Sequence, residues 1–231
     1  MRERTWLTTA DPEPMLRFLK DRATTRKARL LVCAAARRNW ENLPDPRSRR
    51  AFEVAELLAD GMADADAIFT AERDAYAAVM DVLNRGDYMA PLDSLDANFC
   101  LHDTVELMWS LVRDRPTLRT RLHNVTHRAM MWWLGVGKVS VRRPSPEVWC
   151  DLIRDIFGNP FRPVAFNPRW RTADTVGIAT GIYEDGAFDR LPLLADALMD
   201  AGCADEQVLG HCRSEGPHTR GCFVLDMVLK D

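Results

Sequence analysis

HCRSEGPHTRGC, residues 211–222, gathers two of the chain's five histidines and two of its six cysteines into twelve positions. With Cys203 just upstream, the segment offers five potential soft or borderline ligands: Cys203, His211, Cys212, His218 and Cys222. Zinc takes four tetrahedral nitrogen and sulfur donors, so this set is large enough to hold one ion. If a terminal helix starts at Pro217, His218 and Cys222 stand four apart on one of its faces. Cys203, His218 and Cys222 then form the set to test, with His211 or Cys212 as fourth donor. The spacing C-x8-C-x5-H-x3-C matches no common zinc finger and contains no CxxC pair, so core packing of the thiols and local turn-capping by the histidines is the competing expectation. A thiol nucleophile is a third reading. Cys212 has His211, Arg213 and Arg220 nearby, and cationic neighbours lower a thiol pKa. Adjacent helix residues point about 100° apart, however, so His218 would have to act as the base.

The remaining histidines say less. His123 and His127 are four apart, the spacing of a helical metalloprotease pair, but Asn124 stands where the general-base glutamate would follow. His102 falls on a face with Leu95, Phe99 and Trp109 and is expected to be a semi-buried structural histidine. Cys33, Cys100 and Cys150 lie among apolar helix formers and are expected to be buried free thiols. No phosphate loop, G-x-G-x-x-G or G-x-S-x-G is present, and no acidic group has calcium-loop spacing.

The elements that must position these residues are helical. Asp11-Pro12, Asp45-Pro46 and Ser145-Pro146 each pair a capping side chain with a proline suited to the first helical turn. Thr25 is expected to cap a helix to about Asn42, with Ala28, Leu31, Val32 and Ala35 on its buried face. Gly61 marks a left-handed stop, and a further helix fits 64–84. Leu101, Val105, Met108 and Val112 make another apolar stripe, and Leu118, Leu122, Val125, Ala129 and Trp132 a second. MMWWLG at 130–135 is expected to be core, and GVGKVSVRRPSPE a linker. GNPFRPVAFNPRW cannot be regular helix, because Pro160, Pro163 and Pro168 interrupt it, and its aromatics favour packing. Short helices around 173–185, 190–201 and 205–212 and a terminal CFVLDMVLK helix complete the pattern. The expected fold is all-α, about ten helices in an irregular bundle, divided into an N-terminal region 1–140 and a C-terminal region 141–231 with a packed proline-rich loop.

Charge is distributed in blocks although the net charge is only −3. Residues 1–50 carry 13 basic against 6 acidic side chains, and residues 51–110 carry 2 against 13. Such blocks suit packed helices with complementary faces. The basic stretch 22–50, with Arg26, Lys27, Arg29, Arg37, Arg38, Arg47, Arg49 and Arg50, is the one candidate for nucleic acid, but it carries no reader motif and is followed by an acidic segment. The N-terminal arginines precede no apolar signal region and no stretch approaches a membrane span, so a soluble cytoplasmic protein is expected.

DIFGNPFRPVAFNPRW, GIYEDGAFDRLPLLADALMDAGC (181–203) and HCRSEGPHTRGCFVLDMVL resemble the C-terminal region of a family of helical proteins abundant in planctomycetes. WLTTADPEPMLRFL, ARLLVCAAARRNW and RSRRAFEVAELLADG resemble the N-terminal part of the same family. The resemblance implies a helical module of the kind found beside signalling and interaction domains, and so a non-enzymatic adaptor meeting another protein. It brings no catalytic or ligand residues with it. No cofactor is required by this reading, while zinc is the cofactor of the alternative.

Overall fold

The computed structural model describes residues 1–20, 22–38, 40–43, 45–84 and 145–230. Among them are ten α-helices, three short 3-10 turns and no strand, so the fold is all-α. His102, the His123/His127 pair, Cys100, both mid-chain stripes, MMWWLG and most of the linker lie outside the described residues. The chain forms two compact units, one of residues 1–9 with 150–231, the other of 10–149. The C-terminal unit thus includes residues that the sequence pattern assigns to the N-terminal region.

The first helix, α1 (Glu3–Thr8), belongs to the unit that includes residues 150–231; in the unit of residues 10–149, Asp11 accepts from the Glu13 amide to start α2 (Pro12–Leu19), which is followed by α3 (Thr25–Arg38), α4 (Pro46–Ala59) and α5 (Ala65–Asn84). Thr24, rather than Thr25, caps α3 by accepting from the Lys27 amide. Residues 28–36 of α3 are buried without interruption, Arg29 included, so this helix is surrounded rather than lying with one face on a core. It ends at Arg38, earlier than expected, and Trp40–Asn42 makes a 3-10 turn. Asp45 caps α4 through the Arg47 amide, and Gly61 (φ 72°) ends the following turn. Val32, Cys33 and Ala36 meet Phe52, Val54 and Ala55, with Ala71 and Ala75 of α5 closing the cluster.

The other unit contains α1, α6 (Pro146–Phe157) from Cys150 onward, α7 (Ala173–Asp185), α8 (Leu191–Asp200), α9 (Glu206–Cys212) and α10 (Phe223–Leu229). Leu191, Leu194, Ala195 and Leu198 place one face of α8 wholly in the core, against Ala179 and Ile182 of α7, Val208 of α9 and Val224, Leu225 and Val228 of α10. A reciprocal Thr172/Thr175 capping box starts α7, and Gly186 (φ 65°) stops it. Val164, Phe166 and Trp170 of the proline-rich segment pack on the same core.

The terminal helix begins at Phe223, not at Pro217. Residues 213–222 are a loop with Gly216 and Gly221 both at φ 88°, conformations that an L side chain strains to adopt. His218 and Cys222 consequently do not share a helix face.

Candidate metal centre

Four side chains from three helices and the intervening loop converge. Asp155 projects from the last turn of α6, His211 from the last turn of α9, His218 from the loop, and Cys222 from the N-cap position of α10. One ligand atom from each, a carboxylate oxygen, two imidazole nitrogens and the thiol sulfur, lies within 4.8 Å of all the others. Asp155 Oδ1 is 3.0 Å from His211 Nε2 and 2.9 Å from His218 Nδ1. His211 Nε2 is 3.3 Å from Cys222 Sγ. A tetrahedron with bonds of about 2.0–2.3 Å has edges of roughly 3.3–3.8 Å, so these separations are near those of a shared first coordination sphere.

The surroundings orient the donors. Asp155 Oδ2 accepts from both the Thr219 amide and the Thr219 hydroxyl, each at 3.0 Å, which leaves Oδ1 facing the imidazoles and the thiol. Ser214 donates its only hydroxyl proton to the His211 carbonyl. Its Oγ and its carbonyl oxygen must therefore accept from His218 Nε2, which fixes the proton there and turns Nδ1 toward Asp155. A metal-bound histidine characteristically donates its second ring N–H to such a carbonyl. His211 is braced by the edge-on ring of His218 at 4.8 Å and by Phe223 at 4.5 Å.

The electrostatics of the group centre on the buried Asp155 carboxylate. Asp155 is 2% exposed, and burial opposes its ionisation, yet hydrogen bonds from His211 and His218 outweigh burial and hold its carboxyl below the ordinary range. Burial opposes protonation of His218, but the bond to Asp155 prevails and raises its pKa. Cys222 is wholly buried, and burial followed by the adjacent carboxylate pushes its thiol well above the usual value. A coordinated metal ion reverses that last effect by deprotonating the thiol outright.

Of the five sequence candidates, the structure brings together His211, His218 and Cys222 and leaves out Cys203 and Cys212. Both are buried in the apolar core of the unit with Leu198, Val208 and Leu225 and lie outside the group of four. Burial pushes the Cys212 thiol up to about 12 and also raises Cys203, so neither is poised as a nucleophile. A Cys222–His211–Asp155 triad is also excluded by geometry, because a triad histidine uses its two different ring nitrogens whereas here Nε2 faces both partners. Asp155 was missed by sequence reasoning. Its signal is a carboxylate three residues after Leu152, at the edge of the buried arc formed by Trp149, Leu152, Ile153 and Ile156.

At least five of the eight named cations of the basic segment 22–50 are engaged within their own unit. Arg26 bonds Asp60, Arg37 holds both oxygens of Glu56, Arg47 bridges Asp45 and Asp81, and Arg50 meets Glu53. Arg49 donates to the Leu43 and Trp40 carbonyls. No helix among the described residues is long and apolar enough to cross a membrane.

Comparison with protein-family models, curated proteins and solved structures gave no match.

Proposed function

We propose that this protein is a zinc-binding, non-enzymatic helical module, in which Asp155 Oδ1, His211 Nε2, His218 Nδ1 and Cys222 Sγ hold the ion. The observation that carries this reading is the convergence of those four atoms, with the outward-facing atoms of Asp155 and His218 already engaged by Thr219 and Ser214. One hard oxygen, two imidazoles and one thiolate favour zinc over calcium or magnesium, which take oxygen ligands. Four protein donors leave no place for a bound water, and two of them, Asp155 and Cys222, are buried, so the arrangement supports a structural ion rather than a catalytic one. Such an ion would clamp the 213–222 loop between α6 and α10.

Metal analysis of the purified protein tests this, followed by exchange with cobalt. One equivalent of zinc and a thiolate-to-cobalt charge-transfer band that disappears in Cys222→Ser are expected. Metal-free protein that takes up neither ion would refute the assignment.

A second observation supports the adaptor half of the reading. Phe69 and Tyr76, seven residues apart on one face of α5, are 66% and 54% exposed. Solvent-facing aromatics at helical spacing suit contact with another protein, as does the resemblance to planctomycete helical proteins. Recovery of a partner by the wild-type chain but not by Phe69→Asp/Tyr76→Asp, at unchanged zinc content, is the expected outcome; equal recovery by both would count against it.

A further inference from the structure

We propose that metal occupancy of this centre governs the docking of the N-terminal helix α1, an inference that rests on the zinc reading above. The last turn of α6 and the two residues after it serve both structures at once. Arg154 donates from Nε to the Trp6 carbonyl at 3.0 Å and from Nη2 to the Thr9 carbonyl at 2.6 Å, strapping the C-terminal end of α1. Gly158 accepts from the indole N–H of the fully buried Trp6 at 3.0 Å. Asn159 donates to Glu3 at 2.8 Å, and Arg162 pairs with the same carboxylate. Asp155, between two of these anchors, is the ligand.

The link runs through Phe223, the residue after Cys222. Its ring lies over Gly158, where a built Cβ would stand only 3.1 Å from the ring, and it packs on His211 at 4.5 Å. An ion that draws Cys222 and His211 onto Asp155 therefore also presses Phe223 onto the residue whose carbonyl holds Trp6. Without the ion, the four donors lose their common centre and the seat of Phe223 on Gly158 loosens. Gly158 is itself an anchor of α1, and Arg154, next to Asp155 in sequence, is another. By contrast, α7 and α8 take their position from the apolar core, in which Cys222 is the one residue they share with the centre. Linkage makes the effect reciprocal: whatever factor zinc contributes to α1 docking, α1 docking contributes to zinc affinity, typically about 5- to 150-fold between coupled sites.

Hydrogen–deuterium exchange of the full chain, zinc-loaded and after chelation, tests this without any substitution. Exchange at residues 3–9 is expected to rise on chelation at least about tenfold more than exchange at 173–200. In parallel, competitive zinc titration of Trp6→Phe, which keeps an aromatic side chain but removes the indole N–H donor, is expected to show affinity weakened at least about fivefold. Binding of zinc with unchanged exchange at 3–9, or with an equal rise across 173–200, would overturn the coupling while leaving the metal site intact. Failure of the wild-type chain to bind zinc in the same titration would overturn both.

Discussion

Asp155 carries two different loads, and substitutions can separate them. Its Oδ1 faces His211 and His218, whereas its Oδ2 is held by Thr219. Asp155→Asn removes the charge needed beside two imidazoles, and zinc titration should find binding lost. Thr219→Val keeps the shape and the amide donor but deletes the hydroxyl, a loss of support that typically weakens a metal site about 10- to 100-fold. Equal, undiminished affinity in both variants would mean that the carboxylate is no ligand. The thiols make a separate prediction. The thiolate is the reactive form, so with its pKa pushed up to about 12 by burial, Cys212 should resist alkylation at pH 7, and any reactivity should grow about tenfold per pH unit below 12. Labelling mapped by mass spectrometry checks this, and rapid modification of Cys212 at neutral pH would contradict it. The two histidines and the thiol of the centre were legible in the sequence, but its carboxylate and the partition of the thiols were not. Cys212 and Cys222 look equivalent as letters and both are buried, but only Cys222, at the end of the loop with left-handed Gly216 and Gly221, lies beside Asp155, His211 and His218.

Helix ends decide how firmly the ligands are presented. Cys222 provides no side-chain cap to α10, so this seven-residue helix depends on its other end and on packing. There Arg171 donates from Nε to the Val228 carbonyl at 3.0 Å and from Nη2 to the Met227 carbonyl at 3.1 Å and to Lys230, satisfying acceptors that a helix C-terminus leaves without partners. Its guanidinium also lies over Phe166 of the proline-rich segment, 5.3 Å from the ring centre. Arg171→Lys retains the charge but loses the planar fork, and because the site is only half-buried, a loss of about 1–2 kcal/mol is expected in urea unfolding. An unchanged midpoint would show that the fork adds nothing to α10. At this scale the sequence was informative where an Asp-Pro pair marks the cap: Asp11 and Asp45 each accept from an amide two residues ahead, whereas Thr24 rather than Thr25 caps α3. Arg171 was not legible, because its partners lie 56 to 59 residues away and no periodicity links a loop arginine to a distant helix end.

At the scale of the whole molecule, helical periodicity tells which face is buried but not what buries it. Trp6 is an example: its indole reaches the Gly158 carbonyl, 152 residues away, and α1 consequently joins the C-terminal unit rather than its neighbours in sequence. The charge blocks were more informative, since Arg26–Asp60 and Arg37–Glu56 join the basic and acidic segments as complementary helix faces should. The two units therefore have different sources of stability. Residues 10–84 combine an alanine-rich core with ion pairs and hold none of the four ligands, whereas residues 1–9 with 150–230 contain the entire centre. A ligand that binds only the folded form stabilises it by RT ln(1 + [L]/Kd), about 4 kcal/mol at a thousandfold excess over Kd. Hydrogen exchange along a urea series should accordingly show peptides from 150–230 losing protection at lower urea after chelation, by about 1 M or more at slopes of 1–3 kcal/mol/M. Peptides from 25–80 should keep their midpoint. A common shift in both sets would mean that the ion acts on the chain as one cooperative body, and no shift in either would mean that the centre contributes nothing to folding.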